Sequence, residues 1–238
     1  MSYMLRVLAL VYWLVSYVVA VLTLVYLVGF IGNRYSPSTI DSGLQIPEWE
    51  AAMADLKLLL LFALQHSLMA RRWWKRMVPA PIERSTYLLA TGFILAAIYR
   101  YWEPIPRLLW SVEATASLLL SIGFATGWAL AVWATVAGGH LDSFGFRQVW
   151  AYVRGEAHQP PPIRTRAPFR WVRHPTMLGL LLAFWSEPRM SWGHVLFSAV
   201  MTAYILIALR FEERDLARTL GAEYERYRAR TGMLFPRL

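Results

Sequence analysis

Two long runs without a charged residue limit this chain to a small set of folds. Val7 to Ile31 contains no charge in 25 residues, and Ala114 to Ala137 contains none in 24. About 20 apolar residues are enough for a helix to cross the hydrocarbon core of a bilayer. Each run therefore predicts a membrane-spanning helix. The first run is too long for a cleavable signal peptide, and no small-residue cleavage site follows it.

Four further apolar segments extend this pattern. They are Met53 to Ala70, Ser85 to Tyr99, Thr176 to Ser186, and Met190 to Leu209. Thr176 to Ser186 has 11 residues, too few to cross alone, and the turn signal Glu187-Pro188-Arg189 follows it. We therefore predict an all-α integral membrane helical bundle of five to six segments with a C-terminal helical hairpin, in a single domain over 1–238.

The charge distribution predicts an orientation in the membrane. The net charge is +9, and Lys and Arg number five in loop 71–84, six in loop 138–173 and seven from Arg210 onward. The alternate loops carry few, so the positive-inside rule places the basic regions and the N-terminus in the cytoplasm. This pattern predicts contact with membrane lipids and no nucleic-acid partner.

The residue inventory argues against two kinds of site. The chain has no cysteine, which excludes disulfides and thiolate metal sites. Its five histidines lack ligand spacing, so no metal is predicted. The polar stretch 138–173 contains Trp150 and Trp171, and we expect it to be ordered.

Three polar clusters each allow a structural and a functional interpretation. Arg173-His174-Pro175 suits a helix start, since proline is favoured at the first helical position, and also an anion site at a helix N-terminus. Glu212 and Glu213 point about 100° apart on a helix, so one can face the bundle. Alternatively, they belong to an arginine- and glutamate-rich helix that leaves the membrane, predicted over Glu212 to Arg230, and Glu213 pairs with the preceding Arg210.

Gln65-His66 lies near the end of an apolar segment. The pair suits either an interhelical hydrogen bond or a place in a functional site. Gly123 and Gly127 form a small-xxx-small pair, typical of close helix packing.

The C-terminal motifs resemble a known superfamily. Arg173-His174-Pro175, the apolar hairpin, Glu-Glu-x-x-Leu from Glu212 to Leu216, Tyr224-x-x-Tyr227 and Pro236 are similar to isoprenylcysteine carboxyl methyltransferases. The resemblance implies an integral membrane enzyme that binds S-adenosylmethionine, mainly through residues 140–238.

Further segments narrow the resemblance. Phe62 to Ser67, Ile82 to Tyr87, His140 to Trp150, Leu182 to Trp185 and Gly193-His194 resemble bacterial methanethiol S-methyltransferases, which are similar to NnrU-type proteins. The resemblance implies methylation of a small thiol, most simply methanethiol to dimethyl sulfide, on the cytoplasmic side of the bacterial inner membrane. Two alternatives stay open: a methyltransferase for a lipid or isoprenoid acceptor, and a non-enzymatic NnrU-type membrane protein. No protein partner is predicted.

The resemblance also assigns candidate residues. His66 is the first candidate for the proton acceptor and Glu213 the second, with Arg84 as a further catalytic candidate. The cofactor candidates are Arg173, His174, Pro175, Glu212, Glu213, Tyr204, Tyr224 and Tyr227. The substrate candidates are Gln65, His140, Arg147 and Gln148. Thr176-Met177 departs from the tyrosine expected after Arg-His-Pro, so its contact with the cofactor is either missing or supplied from elsewhere, such as Tyr204, Tyr224 or Tyr227.

Overall fold

The computed structural model describes residues 3–159 and 163–237, and its regular secondary structure there is mostly helical. The helices are α1 (Tyr3–Ile31), α2 (Glu48–Met69), α3 (Arg72–Met77), α4 (Ala80–Tyr101), α5 (Ala114–Ala137), α6 (His140–Ser143), α7 (Phe146–Arg154), α8 (Pro175–Trp185), α9 (Trp192–Leu220) and α10 (Ala222–Arg230). Two short strands, β1 (Leu108–Ser111) and β2 (Arg189–Ser191), pair antiparallel. The predicted all-α fold class is confirmed.

In the described part of the chain, four helices are long and apolar enough to cross a membrane, namely α1, α2, α5 and α9. Their outward side chains stay uncovered by protein: Leu22 is 62% exposed, Leu118 61% and Ile207 55%. Apolar surface on this scale needs a lipid environment, so the chain is an integral membrane protein. The count of five to six segments stays a prediction, because α8 has only 11 residues and α4 is not among the four.

The chain forms two compact units, Met1–Ile105 with His140–Pro161, and Pro106–Gly139 with Pro162–Leu238. The single domain over 1–238 stays a prediction. In the first unit, α4 packs against α1 and α2, and α7 packs against α1 and α4. In the second, α8 packs against α5 and α9, and α10 against α9.

Small residues bring α5 and α8 into backbone contact in the second unit. A Cβ added at Gly127 would lie 2.6 Å from the Gly179 carbonyl oxygen, and one at Gly179 would lie 2.5 Å from the Gly127 carbonyl oxygen. The close packing predicted at Gly127 is therefore present, with α8 as the partner helix.

The predicted hairpin consists of α8 and α9, and its turn is fixed by hydrogen bonds. Ser191 caps α9 by accepting from the His194 amide at 3.1 Å. Inside the hairpin, the Phe184 carbonyl oxygen lies 2.9 Å from His194 Nε2 and accepts from Ser198 at 2.8 Å. Pairing of β2 with β1 makes α9 begin at Trp192, two residues after the predicted segment start.

The predicted exit helix from Glu212 to Arg230 is wrong as one continuous element. Helix α9 carries Glu212 and Glu213 and continues to Leu220, and α10 begins at Ala222. Gly221, with φ of +54°, separates them, a conformation that glycine adopts more easily than other residues. The break turns α10 back onto α9.

The stretch 138–173 is ordered where it is described, as expected. It contains α6 and α7, and the Trp13 side chain donates to the Phe144 carbonyl oxygen at 2.8 Å. Residues 160–162 of this stretch lie outside the described residues.

Candidate functional site

A buried ion-pair cluster occupies the second unit where α8 begins. Glu213 Oε1 lies 2.7 Å from Arg173 Nε, 2.6 Å from Arg173 Nη2 and 3.1 Å from His174 Nε2. The side chains are nearly buried, at 7% exposure for Arg173, 9% for His174 and 11% for Glu213. Paired charges with this geometry are the form in which ionised groups are tolerated inside a protein. Glu213 pairs here with Arg173, instead of the predicted Arg210.

The C-terminal segment is held to the same place by backbone contacts. The amides of Arg173 and His174 donate to the carbonyl oxygens of Gly232 at 2.8 Å and Met233 at 3.1 Å. Arg173 Nη1 also donates to the Thr231 carbonyl oxygen. Arg173 therefore joins α9 to the segment after α10, and its three nitrogens are directed at protein acceptors.

Pro175 starts α8, as the sequence indicates. It is the first residue of α8, with His174 before it. Among the described residues, no side chain caps this helix. The first amides of a helix lack intrahelical acceptors, so they are available to an anionic group.

Glu212 and Glu213 point in different directions, as expected. The Glu212 side chain is 55% exposed, against 11% for Glu213. Glu212 Oε2 lies 3.9 Å from His174 Nδ1. Arg228, on α10, lies at the same cluster, with Nε 3.8 Å from Glu213 Oε2. The surface over the buried pair thus carries both signs of charge and can bind a small group that also carries both.

Two of the three candidate tyrosines lie at this cluster. Tyr224 and Tyr227 are 2% and 9% exposed on α10. The Tyr227 hydroxyl donates to the Phe169 carbonyl oxygen at 2.7 Å. Burial raises the pKa of Tyr224 to about 12, and the Glu213 charge adds to this shift. Burial likewise raises the pKa of Tyr227 to about 12, so both phenols stay protonated at neutral pH.

Tyr204 is separated from the other candidates along α9. It lies nine residues before Glu213 in the same helix. A rise of 1.5 Å per residue places it roughly 13 Å away along the axis. It does not belong to the ion-pair cluster.

A second polar network lies in the first unit and joins α2 to α4. His66 Nε2 is 2.5 Å from the Tyr87 hydroxyl, and His66 Nδ1 is 3.3 Å from Thr91 Oγ1. The Gln65 amide lies 3.4 Å from the same Thr91 oxygen. The interhelical hydrogen bond that Gln65-His66 suggests is therefore present.

Arg84 connects this network to α6, and Gln148 on α7 contacts Glu83, the residue before Arg84. Arg84 lies above the Tyr87 ring, with Cζ 5.4 Å from the ring centroid. Arg84 Nε donates to the Ser143 carbonyl oxygen at 2.8 Å. Gln148 Nε2 donates to Glu83 Oε2 at 3.4 Å. Segments far apart in sequence thus supply polar groups at or beside the His66 network.

The remaining substrate candidates lie on α6 and α7. His140 Nε2 is 3.4 Å from the Tyr17 hydroxyl. Arg147 pairs with Asp142 at 3.2 Å, and its side chain is 58% exposed. Neither contact joins the His66 hydrogen bonds.

The sequence interpretation missed the direct partners of His66. Tyr87 and Thr91 were not among the candidates, although a helical signal for them exists. Arg84, Tyr87 and Thr91 are spaced i, i+3 and i+7, which places them on one face of α4. Across the described residues, no group of three or more histidines and carboxylates is placed to bind a metal ion.

Comparisons with known proteins place the chain in a family. Methanethiol S-methyltransferase 2 of Bradyrhizobium diazoefficiens is 44% identical over 237 residues, covering 98% of this chain and 92% of that protein. Methanethiol S-methyltransferase of Mycobacterium tuberculosis is 42% identical over 236 residues, covering 97% of both. Nurim of Sus scrofa is 31% identical over 188 residues, covering 72% of this chain and 70% of nurim.

No protein-family model matches the chain, and no solved structure matches it. The similarity to several methanethiol S-methyltransferases extends over almost the whole length of both partners. It includes the segments that carry the His66 network and the ion-pair cluster. The chain therefore belongs to the methanethiol S-methyltransferase family.

Proposed function

We propose that this membrane protein transfers a methyl group from S-adenosylmethionine to methanethiol and so forms dimethyl sulfide. The observation that carries the proposal is its 44% identity, over 98% of its length, to a methanethiol S-methyltransferase. Within the family, the similarity favours an enzyme over the non-enzymatic role and a small thiol over a lipid acceptor.

The cofactor would bind at the ion-pair cluster of the second unit. When bound, S-adenosylmethionine supplies an electrophilic methyl group on a sulfonium. Its amino-acid part carries an ammonium and a carboxylate, and the cluster has a binding group for each of them. The half-exposed Glu212 carboxylate suits the ammonium, and the uncapped start of α8 at Pro175 suits the carboxylate.

The buried members of the cluster have a supporting role in this proposal. Arg173 and His174 hold Glu213, so a direct contact between Arg173 and a carboxylate would require Arg173 to leave its ion pair. Tyr224 and Tyr227 close the cluster from α10. Tyr204 is proposed to contact a more distant part of the cofactor.

The thiol side of the reaction is assigned to the first unit. The thiolate is the nucleophilic form of a thiol, so a proton acceptor is needed. We assign that role to His66, with Arg84 providing positive charge near the proton-transfer groups. Gln65, His140, Arg147 and Gln148 are assigned to substrate binding. Glu213 is the weaker candidate for the base, because its Oε1 already accepts from Arg173 and His174.

The proposed location is the bacterial inner membrane, with the site facing the cytoplasm and lipids around the apolar helices. The Lys and Arg counts of the loops support this orientation.

Purified protein in detergent tests the activity. With S-adenosylmethionine and methanethiol it should release dimethyl sulfide without added metal, and a chelator should not reduce the rate. Methylation of a membrane lipid extract, with no dimethyl sulfide, would contradict the assignment of the acceptor.

Calorimetry with S-adenosylmethionine tests the cofactor site separately. Glu212→Gln should weaken binding about tenfold, because it removes a charge complementary to the ammonium. Glu223→Gln is the matched control, an exposed carboxylate on α10, and should bind as the wild type does. His174→Ala and Glu213→Ala should also weaken binding. Unchanged affinity in all three, with unaltered unfolding temperature, would place the cofactor elsewhere.

A further inference from the structure

Tyr87 lies between the predicted base and a fixed positive charge. Its hydroxyl is 2.5 Å from His66 Nε2, and the Arg84 guanidinium carbon is 5.4 Å from its ring centroid. We propose that the Tyr87 hydroxyl contacts the thiol and relays its proton to His66. This inference rests on the proposed function and identifies the group that carries out its proton transfer.

The hydrogen bonds of His66 direct the proton path through Tyr87. A neutral imidazole has one N–H donor and one acceptor lone pair. A phenol is far more acidic than an alcohol, so Tyr87 is the stronger donor and Thr91 the better acceptor. His66 Nδ1–H then donates to Thr91 Oγ1 at 3.3 Å, and Tyr87 donates to Nε2. The lone pair needed by the base already points at the Tyr87 hydroxyl.

Gln65 and Thr91 keep His66 in this orientation. The Gln65 amide lies 3.4 Å from Thr91 Oγ1, and the His66 ring stacks on Phe62 with ring centroids 5.1 Å apart. A histidine held by a hydrogen bond at one nitrogen has the other nitrogen fixed in tautomer and direction. Thr91 is a positioning residue in this scheme, and Gln65 has a positioning role in addition to the substrate contact proposed above.

Arg84 stabilises the charge that forms when Tyr87 loses its proton. A cation within about 6 Å of an aromatic centroid interacts favourably with the ring, and the interaction strengthens as the ring becomes anionic. The bond from Arg84 Nε to the Ser143 carbonyl oxygen fixes the guanidinium. Arginine stays charged at every accessible pH, so it assists without exchanging a proton.

The proton and electron balance of the step is complete. Tyr87 first gives its proton to His66 Nε2, and its oxygen, on the ring beside Arg84, then takes the thiol proton and leaves a thiolate. When bound, the cofactor would supply the methyl group to the thiolate sulfur and would keep the electron pair of the broken methyl–sulfur bond. His66 later releases its proton to water, so each turnover yields one proton.

Kinetics of Tyr87→Phe, His66→Ala and the double variant test the relay. Loss of general acid–base catalysis costs about a hundredfold or more in rate, so kcat should fall by that factor in each single variant. The double variant should fall no further than the singles, because groups that act as one unit are non-additive. Tyr12→Phe is the matched control. It removes the neighbouring hydroxyl that donates to Thr86 at 3.1 Å, and its kcat should match the wild type.

The pH profile separates a relay from a structural role. Raising the pH ionises free thiol, so kcat/KM of Tyr87→Phe should rise toward that of the Tyr12→Phe control. Histidine nitrogen NMR without cofactor provides a readout independent of activity. The His66 signals, identified by their absence in His66→Ala, should show the proton on Nδ1 and should shift in Tyr87→Phe.

The outcomes distinguish the relay from the proposed function. An inactive wild type contradicts the function itself. An active wild type with normal kcat in Tyr87→Phe and low kcat in His66→Ala means that His66 takes the proton directly, and the relay is wrong. Additive losses, or a Tyr87→Phe loss confined to KM or unfolding temperature, overturn it as well.

Discussion

At the scale of single residues, loss of the ion pair between Arg173 and Glu213 should lower the stability of the protein more than loss of any other contact described above. Arg173 also donates to the Thr231 carbonyl oxygen, so its removal leaves a buried carboxylate and releases the C-terminal segment. The pair thus links the chemistry of the cluster to the stability of the second unit.

Arg173→Ala should lower the free energy of unfolding by about 3 kcal/mol, because one partner of a buried pair is left uncompensated. Arg173→Lys should recover part of this, since it keeps the charge but not the planar fork. Thermal unfolding in detergent measures both. Arg210→Ala, at an exposed position on α9, is the control; an equal loss there would contradict the assignment.

The raised pKa values of Tyr224 and Tyr227 lead us to expect a loss of stability at alkaline pH. Their pKa values are raised to about 12, while an unfolded tyrosine titrates near about 10. The unfolded chain therefore loses these protons first, and stability falls as pH rises from about 10 toward about 12. Unfolding temperatures across this range should fall less steeply in Tyr227→Phe. Parallel curves for the two proteins would contradict this.

At the scale of elements, the contact between α5 and α8 depends on two glycines. Helix α8 has only 11 residues, so few side chains are available to secure it, and close backbone approach compensates. In membrane proteins such small-residue contacts are a main source of helix association.

Gly179→Ala should destabilise the second unit by about 1–3 kcal/mol, the usual effect of overpacking. The added methyl would lie 2.5 Å from the Gly127 carbonyl oxygen and 2.7 Å from the Ala131 amide nitrogen, both backbone atoms. Gly123→Ala is the milder control, because its methyl meets the Ser186 side chain at 2.7 Å, which can rotate. Equal unfolding temperatures for the two variants would argue against backbone contact as the cause.

At the scale of the whole molecule, the orientation in the membrane follows from the loop charges. The absence of native cysteine makes single-cysteine labelling simple. Cysteine at Ser42 or Ser111 should react with an impermeant reagent from outside intact cells, and cysteine at Ser143 only after permeabilisation. The reverse pattern would place the basic loops outside.

Local sequence patterns were enough to predict the fold class, the long apolar helices and the family. The hydrophobic run Ala114–Ala137 has the same bounds as α5. Such runs can be predicted because the preference of an apolar segment for lipid over water does not depend on its neighbours in the fold. The different directions of the Glu212 and Glu213 side chains also followed from helix geometry.

The partners of the polar residues depend on tertiary packing and could not be predicted from the sequence. Arg173 is 40 positions from Glu213, and His66 is 21 positions from Tyr87. Helical periodicity gives the face on which a side chain lies, but the residue that meets it depends on how other helices pack. The same holds for α10, whose return onto α9 requires both the break at Gly221 and a buried surface for Tyr224 and Tyr227.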